Sequence, residues 1–151
     1  MKILIVEDNK NKLQKLIECI HNIKKEIRIT EANSFTSGVR KIREDNWDLI
    51  ILDMTLPTYD VTHREYGGDK KSVAGKEIMK KMLHRNILIP VVIVTQFEEF
   101  GENRITLDIL NSEFEKDFKD IWIRTIFYEG NKWQNDLVET IQEIIMKEET
   151  K

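Results

Sequence analysis

Short apolar runs alternate with helical periodicities from one end of the chain to the other. "ILIV" at 3–6 is a continuous apolar run of the kind found in strands buried on both faces. Leu13, Leu16, Ile17 and Ile20 follow at the i, i+3, i+4, i+7 spacing of an amphipathic helix, behind Asp8 and Asn9, which offer N-cap chemistry. "EIRIT" at 26–30 alternates in polarity and suits a strand nearer a sheet edge. Ser34 can cap a second helix through about Arg43, with Phe35, Val39 and Ile42 on one face. "DLIILD" at 48–53 predicts a third strand, and "AGKEIMKKMLHR" a third helix with Ile78, Met79, Met82 and Leu83 inward. "IPVVIVTQ" at 89–96 predicts a fourth strand, entered through Pro90, and "ITLDILNSEF" at 105–114 a fourth helix. "IWIRTIFY" at 121–128 predicts a fifth strand, and a last helix runs from about Trp133 to Lys147, with Leu137, Ile141, Ile144 and Ile145 inward.

This order is a βα unit repeated five times. Strands separated by helices need crossover connections, so the sheet is expected to be parallel, with helices on both faces. Right-handed crossovers leave few topologies. In such α/β sheets the ligand site lies at the carboxyl ends of the strands, near a topological switch point.

Those strand ends carry the unusual residues. The first strand ends in Glu7 and Asp8, the third in Asp53 and the fourth in Thr95. Singly, each has an ordinary reading: a helix cap, a turn starter, a β-branched strand residue. Together they place three carboxylates and a hydroxyl at one predicted edge. Neighbouring strands lie about 4.8 Å apart, so the groups can converge. Three converging carboxylates repel, and desolvation adds to the penalty. A divalent cation resolves the conflict, and Mg²⁺ prefers oxygen ligands while leaving room for a phosphoryl group.

Composition narrows the class without changing this picture. The chain has 151 residues, 40% hydrophobic and 34% charged, and a net charge of −3. Those values fit one globular domain spanning 1–151, with no global pull toward nucleic acid or an anionic membrane. The single Cys19 excludes an internal disulfide and fits a reducing compartment. With no apolar run long enough to cross a bilayer and no signal-peptide pattern, the expected location is cytoplasmic. His21, His63 and His84 share no metal-ligand spacing with one another or with Cys19. Neither type of phosphate-binding glycine loop is present, which argues against a nucleotide enzyme.

Three motifs, in order and suitably spaced, resemble the receiver domain of response regulators in two-component signalling. "ILIVEDN" is similar to the family's first strand and acidic pair, "DLIILDMTLP" to its phosphoacceptor strand, and "IPVVIVT" to its fourth strand ending in a hydroxyl residue. They cover roughly the first two thirds of the chain. The resemblance implies a doubly wound (βα)5, flavodoxin-like three-layer sandwich with a five-stranded parallel sheet in the order 2-1-3-4-5. It implies that Asp53 takes a phosphoryl group from a histidine kinase or phosphotransfer protein, giving an acyl phosphate. Asp8, Asp53 and the Thr55 backbone carbonyl would ligate Mg²⁺, with Glu7 acting through a metal-bound water and Thr95 contacting the phosphoryl group. Such a protein is a phosphoacceptor switch rather than an enzyme in its own right.

The last third departs from the family pattern. A lysine followed by proline is expected at the end of the fifth strand; here the chain reads "RTIFYEGNKWQNDL". Lys132 is the nearest lysine, and it also reads as a solvated helix-start residue. Arg124 lies within the strand as an outward-facing residue. Phe127 or Tyr128 is a candidate aromatic switch residue, with an ordinary core role as the alternative for each. An insertion at about 58–74 separates Asp53 from Gly75, the glycine expected to open the third helix, by 22 positions. It includes His63, Arg64, Lys70 and Lys71 and is expected to cover the acceptor, to select the kinase, or to be a tolerated surface loop. With no helix-turn-helix left unassigned, output is expected through a downstream protein partner, self-association as a homodimer, or phosphate relay. The competing reading is a phosphorylation-independent receiver-like adaptor. An aspartate-nucleophile phosphatase is disfavoured, because its general-acid position, two residues after Asp53, is Thr55.

Overall fold

In the computed structural model of the chain, residues 1–61 and 67–150 are described; 62–66, with His63 and Arg64, and 151 lie outside the described residues. The chain runs β1 (Lys2–Val6), α1 (Lys10–Ile23), β2 (Arg28–Ala32), α2 (Phe35–Glu44), β3 (Leu49–Leu52), β4 (Leu56–Pro57), β5 (Lys70–Lys71), α3 (Ala74–His84), β6 (Val91–Thr95), β7 (Glu99–Phe100), β8 (Ile105–Thr106), α4 (Leu107–Asp117), β9 (Trp122–Phe127) and α5 (Lys132–Glu149). The five longer strands form one sheet in the order β2-β1-β3-β6-β9, parallel at every pairing. Counting only these strands, this is the 2-1-3-4-5 order.

Burial on both faces explains why the central strands read as unbroken apolar runs. Alternate residues go to opposite layers. Ile3, Ile5, Leu49, Ile51, Val92 and Val94 pack with Leu13 and Leu16 of α1 and Leu137, Ile141 and Ile144 of α5. Leu4, Val6, Ile50, Leu52, Val91 and Ile93 pack with Ile42 of α2, Ile78, Met79 and Met82 of α3, and Leu110 and Phe114 of α4. All four residues of β3 are buried, so the strand is anchored on both sides up to its carboxyl end.

The second strand starts two residues later than the alternation of 26–30 suggests. The first pairing with β1 is Arg28 with Lys2, so the partner strand, not polarity alone, sets its start. The edge strand β9 carries an irregularity: Val91 pairs with Trp122 but Val92 with Arg124, leaving Ile123 extra and 39% exposed.

Two short strands flank the described ends of the insertion and pair antiparallel, β4 with β5, Leu56 with Lys71 and Pro57 with Lys70. Thr36 at the start of α2 donates its backbone N–H to the Thr58 carbonyl at 3.0 Å, and Ser37 Oγ donates to Asp60 Oδ1 at 2.8 Å. The hairpin thus lies against the start of α2 and returns the chain to α3. A second short hairpin, β7 with β8, precedes α4.

Candidate functional site

Asp53 follows β3 directly, and its backbone N–H donates to the Val6 carbonyl of β1 at 3.1 Å. That bond sets the third strand's end beside the first strand's end, where Glu7 and Asp8 begin the loop to α1. One carboxylate oxygen from each of Glu7, Asp8 and Asp53 lies within 4.8 Å of the others. Asn9, not Asp8, caps α1: its side chain accepts the Lys12 backbone N–H at 3.0 Å. Asp8 is left with its side chain 25% exposed at the mouth of the cluster.

The two inner carboxylates are nearly inaccessible, Glu7 at 2% and Asp53 at 5%. Burial, then the Asp53 charge, push the Glu7 carboxyl up to about 7 against the opposing pull of Lys12. Burial also raises Asp53, opposed first by Lys12 and by the Met54 backbone N–H, which donates to Oδ1 at 2.7 Å. A donor set made only of carboxylate oxygens, crowded and desolvated, fits a hard divalent cation such as Mg²⁺.

The cluster's cation is a residue that sequence reasoning missed. Lys12, in the first turns of α1, is 2% exposed. Its Nζ lies 2.5 Å from Glu7 Oε1 and 3.4 Å from Asp53 Oδ2, and donates to the Val94 carbonyl of β6 at 2.8 Å. A signal was present: Lys12, Leu16 and Cys19 fall at i, i+4 and i+7, so a lysine stands on the buried face of an amphipathic helix. A lysine there is buried only when paired.

The remaining candidates divide by position. Thr95 is fully buried at the end of β6; its hydroxyl accepts the Phe97 N–H at 3.4 Å and its carbonyl the Tyr128 N–H at 2.7 Å. The Thr55 hydroxyl donates to the Ser72 carbonyl at 3.0 Å, tying the loop after β3 to the approach to α3. Phe127 lines a cleft of about 350 Å³ with Glu98, Glu99, Thr106, Leu107 and Asp108, on the α4 side. Tyr128 goes to the opposite side, its ring 5.5 Å from Lys12 Nζ and 4.8 Å from the Trp133 ring. Lys132 is an exposed first residue of α5. Arg124 turns to α5, where it meets Thr140 Oγ1 at 3.3 Å and Asp136 Oδ1 at 3.6 Å.

Despite the intervening sequence, Gly75 is packed against the site. A Cβ there would lie 2.9 Å from the Asp53 carbonyl oxygen and 3.0 Å from Met54 Sδ, so only glycine lets α3 approach this closely. The hairpin also reaches the mouth of the cluster: Lys70 Nζ, on a 64% exposed side chain, lies 3.7 Å from Asp8 Oδ2.

The sheet is doubly wound and carries an acidic cluster at the carboxyl ends of its first and third strands. The family model "Response regulator receiver domain" matches residues 3–114, and the chain belongs to that family, whose members serve two-component signalling. It is 33% identical over 150 residues to the Detocs response regulatory protein DtcB of Enterobacter cloacae (strain JD6301), covering 95% of this chain and 100% of that protein. Solved structures agree on the fold. A CheY-like receiver domain protein from Methanospirillum hungatei JF-1 superposes with a TM-score of 0.67 at 20% identity, covering 99% of this chain and 98% of the other. The response regulator TrrA from Thermotoga maritima, crystallised in complex with Mg(2+)-BeF, superposes with a TM-score of 0.61 at 16% identity, covering 95% and 97%. Among the described residues, no helix is long and apolar enough to cross a membrane.

Proposed function

We propose that this chain is a phosphorylatable receiver forming one domain over 1–151, and that Asp53 is the phosphoacceptor. The observation that carries the reading is the placement of Asp53. Its carboxylate sits at the end of a fully buried strand, within 4.8 Å of two further carboxylates, with Oδ1 fixed by the Met54 N–H and Oδ2 turned toward the cluster. Glu7, Asp8 and Asp53, with the Thr55 carbonyl, would hold Mg²⁺, which when bound would neutralise charge on the transferring group. Asp53 Oδ2 supplies the nucleophile, and the rigid strand holds it in line. Thr95, at the end of the adjacent strand, offers a hydroxyl to the phosphoryl oxygens.

The donor is a phosphohistidine on a kinase or phosphotransfer protein in the cytoplasm, and output passes to a protein partner. The cleft beside Phe127, on the α4 side of β9, makes Phe127 the better candidate than Tyr128 for a residue that reports the phosphorylated state. The hairpin that carries Lys70 to Asp8 supports a role for the insertion in guarding the mouth of the site.

The test is intact-mass spectrometry after incubation with Mg²⁺ and acetyl phosphate. One phosphoryl addition, absent in Asp53→Asn and dependent on Mg²⁺, is the expected result. No addition to the wild-type chain would overturn the reading. It would favour the phosphorylation-independent adaptor, for which the Lys12 ammonium already placed against Glu7 and Asp53 is the specific observation.

A further inference from the structure

A buried lysine between two carboxylates is open to a purely structural reading. It neutralises charge that folding has desolvated. Such pairs are weak sources of stability, because desolvating both partners offsets their attraction. The contacts of Lys12 go further than neutralisation.

An ammonium has three donors, and here they are unequal. The bond to the Val94 carbonyl, 2.8 Å long, is to backbone inside the sheet, one residue before Thr95. It holds Nζ at the strand ends whatever the carboxylates do. The contact with Glu7 Oε1 is close, at 2.5 Å. The contact with Asp53 Oδ2 is the loose one, at 3.4 Å. The other oxygen of Asp53 is already engaged by the Met54 N–H, so Oδ2 is the oxygen left free to react. A cation is therefore fixed beside the one free oxygen, on a support independent of it. The Tyr128 ring, 5.5 Å from Nζ, closes the site on the α5 side.

We propose that Lys12 is the catalytic cation of phosphoryl transfer to Asp53, delivered from the first turns of α1. The inference rests on the Asp53 reading. With acetyl phosphate as donor, Asp53 Oδ2 forms a bond to phosphorus. The bond from phosphorus to the acetate oxygen breaks, and acetate leaves with its electron pair. The carboxylate charge of Asp53 is consumed, and the two charges of the phosphoryl group arrive on its terminal oxygens. Lys12 keeps its proton throughout. Its ammonium exchanges Asp53 Oδ2 for a phosphoryl oxygen while retaining Val94. That contact strengthens as the transferring oxygens approach, which lowers the barrier, and it persists in the product, which slows loss of the group.

The test compares wild type, Lys12→Gln and Lys12→Arg with Mg²⁺ and acetyl phosphate, following phosphoryl addition by intact mass. Circular dichroism establishes that each variant is folded. Loss of a charged donor aimed at the transferring group is expected to slow labelling of Lys12→Gln roughly a hundredfold. The aspartyl phosphate that forms is expected to be shorter-lived than in wild type, with Lys12→Arg between the two. Labelling of Lys12→Gln at the wild-type rate and with the wild-type lifetime overturns the proposal and leaves the Asp53 reading intact. Failure of wild type to label overturns both.

If Lys12→Gln does not fold, the wild-type protein decides. Protected from exchange by burial, the Lys12 ammonium is expected to give a ¹H–¹⁵N resonance, assigned through its loss in Lys12→Arg. That resonance is expected to shift on adding beryllofluoride with Mg²⁺. A resonance that shifts no more than those of distant lysines overturns the role.

Discussion

Lys12 and Glu7 form an ion pair 2.5 Å long, with both side chains only 2% exposed. Breaking a buried pair leaves an uncompensated charge, which costs more than the pair contributes. Lys12→Met, without divalent cations and at pH 8, is therefore expected to lose about 3 kcal/mol of unfolding free energy. Mg²⁺ is expected to restore part of that loss by taking the place of the missing charge. Urea unfolding with and without Mg²⁺ measures both quantities. A variant as stable as wild type in metal-free buffer would show that the pair carries no compensating charge.

Burial of Glu7, opposed by Lys12, makes stability depend on pH in a defined direction. The Glu7 carboxyl, ordinarily near 4.5, is pushed up to about 7, chiefly by burial. The native state then holds a proton that the unfolded chain releases first. Between about 4.5 and 7 the native state binds more protons, so this contribution to stability is complete below 4.5 and is lost as pH rises through 7. Metal-free wild type is expected to lose stability relative to Glu7→Gln across that window, which unfolding at a series of pH values detects. A constant difference between the two would place the ionisation elsewhere.

How much of this was legible in the sequence follows from how each residue is fixed. The acidic groups were legible because they end apolar runs, and a run's end is visible in one dimension. Parallel pairing then fixes their mutual distance, as the Asp53 N–H to Val6 carbonyl bond illustrates. Lys12 was legible only as a lysine on the apolar face of α1; its partner was not, since the sheet order and the crossover of α1 bring it to β6, 82 residues away along the chain. The cation expected at the end of the last strand is approached in space by a helix from the other end of the molecule. The 22-position separation of Gly75 from Asp53 said nothing of their distance in space; pairing of β4 with β5 brings the chain back, and Gly75 lies against the Asp53 carbonyl.

That contact yields a backbone prediction. Gly75→Ala places a methyl group 2.9 Å from the Asp53 carbonyl oxygen, which the rigid end of β3 cannot yield without moving Asp53. A cost of about 1–3 kcal/mol is expected, as for other overpacked positions. Slower phosphoryl labelling should accompany it. Denaturant midpoints and labelling rates, measured together, check the coupling; unchanged values for both would mean that α3 adjusts freely.

The other basic residues near the last strand behave differently. Arg124 is committed to Thr140 and Asp136 on α5, and Lys132 is exposed at the helix start. Arg124→Ala is expected to lower stability by no more than about 1 kcal/mol, given its partial exposure. Neither Arg124→Ala nor Lys132→Ala is expected to change the labelling rate by more than about twofold, a free-energy difference of less than RT ln 10. A large loss in either would reassign the cation.

A crystal structure of the wild-type chain grown with Mg²⁺ and beryllofluoride tests the site as a whole. Beryllium is expected on Asp53 Oδ2, the metal among Glu7, Asp8 and Asp53, and Lys12 Nζ about 2.8 Å from a fluorine, the distance of a charge-assisted hydrogen bond. Beryllofluoride bound elsewhere, or an Asp53 that stays paired with Lys12 while the reagent is in excess, would contradict that placement.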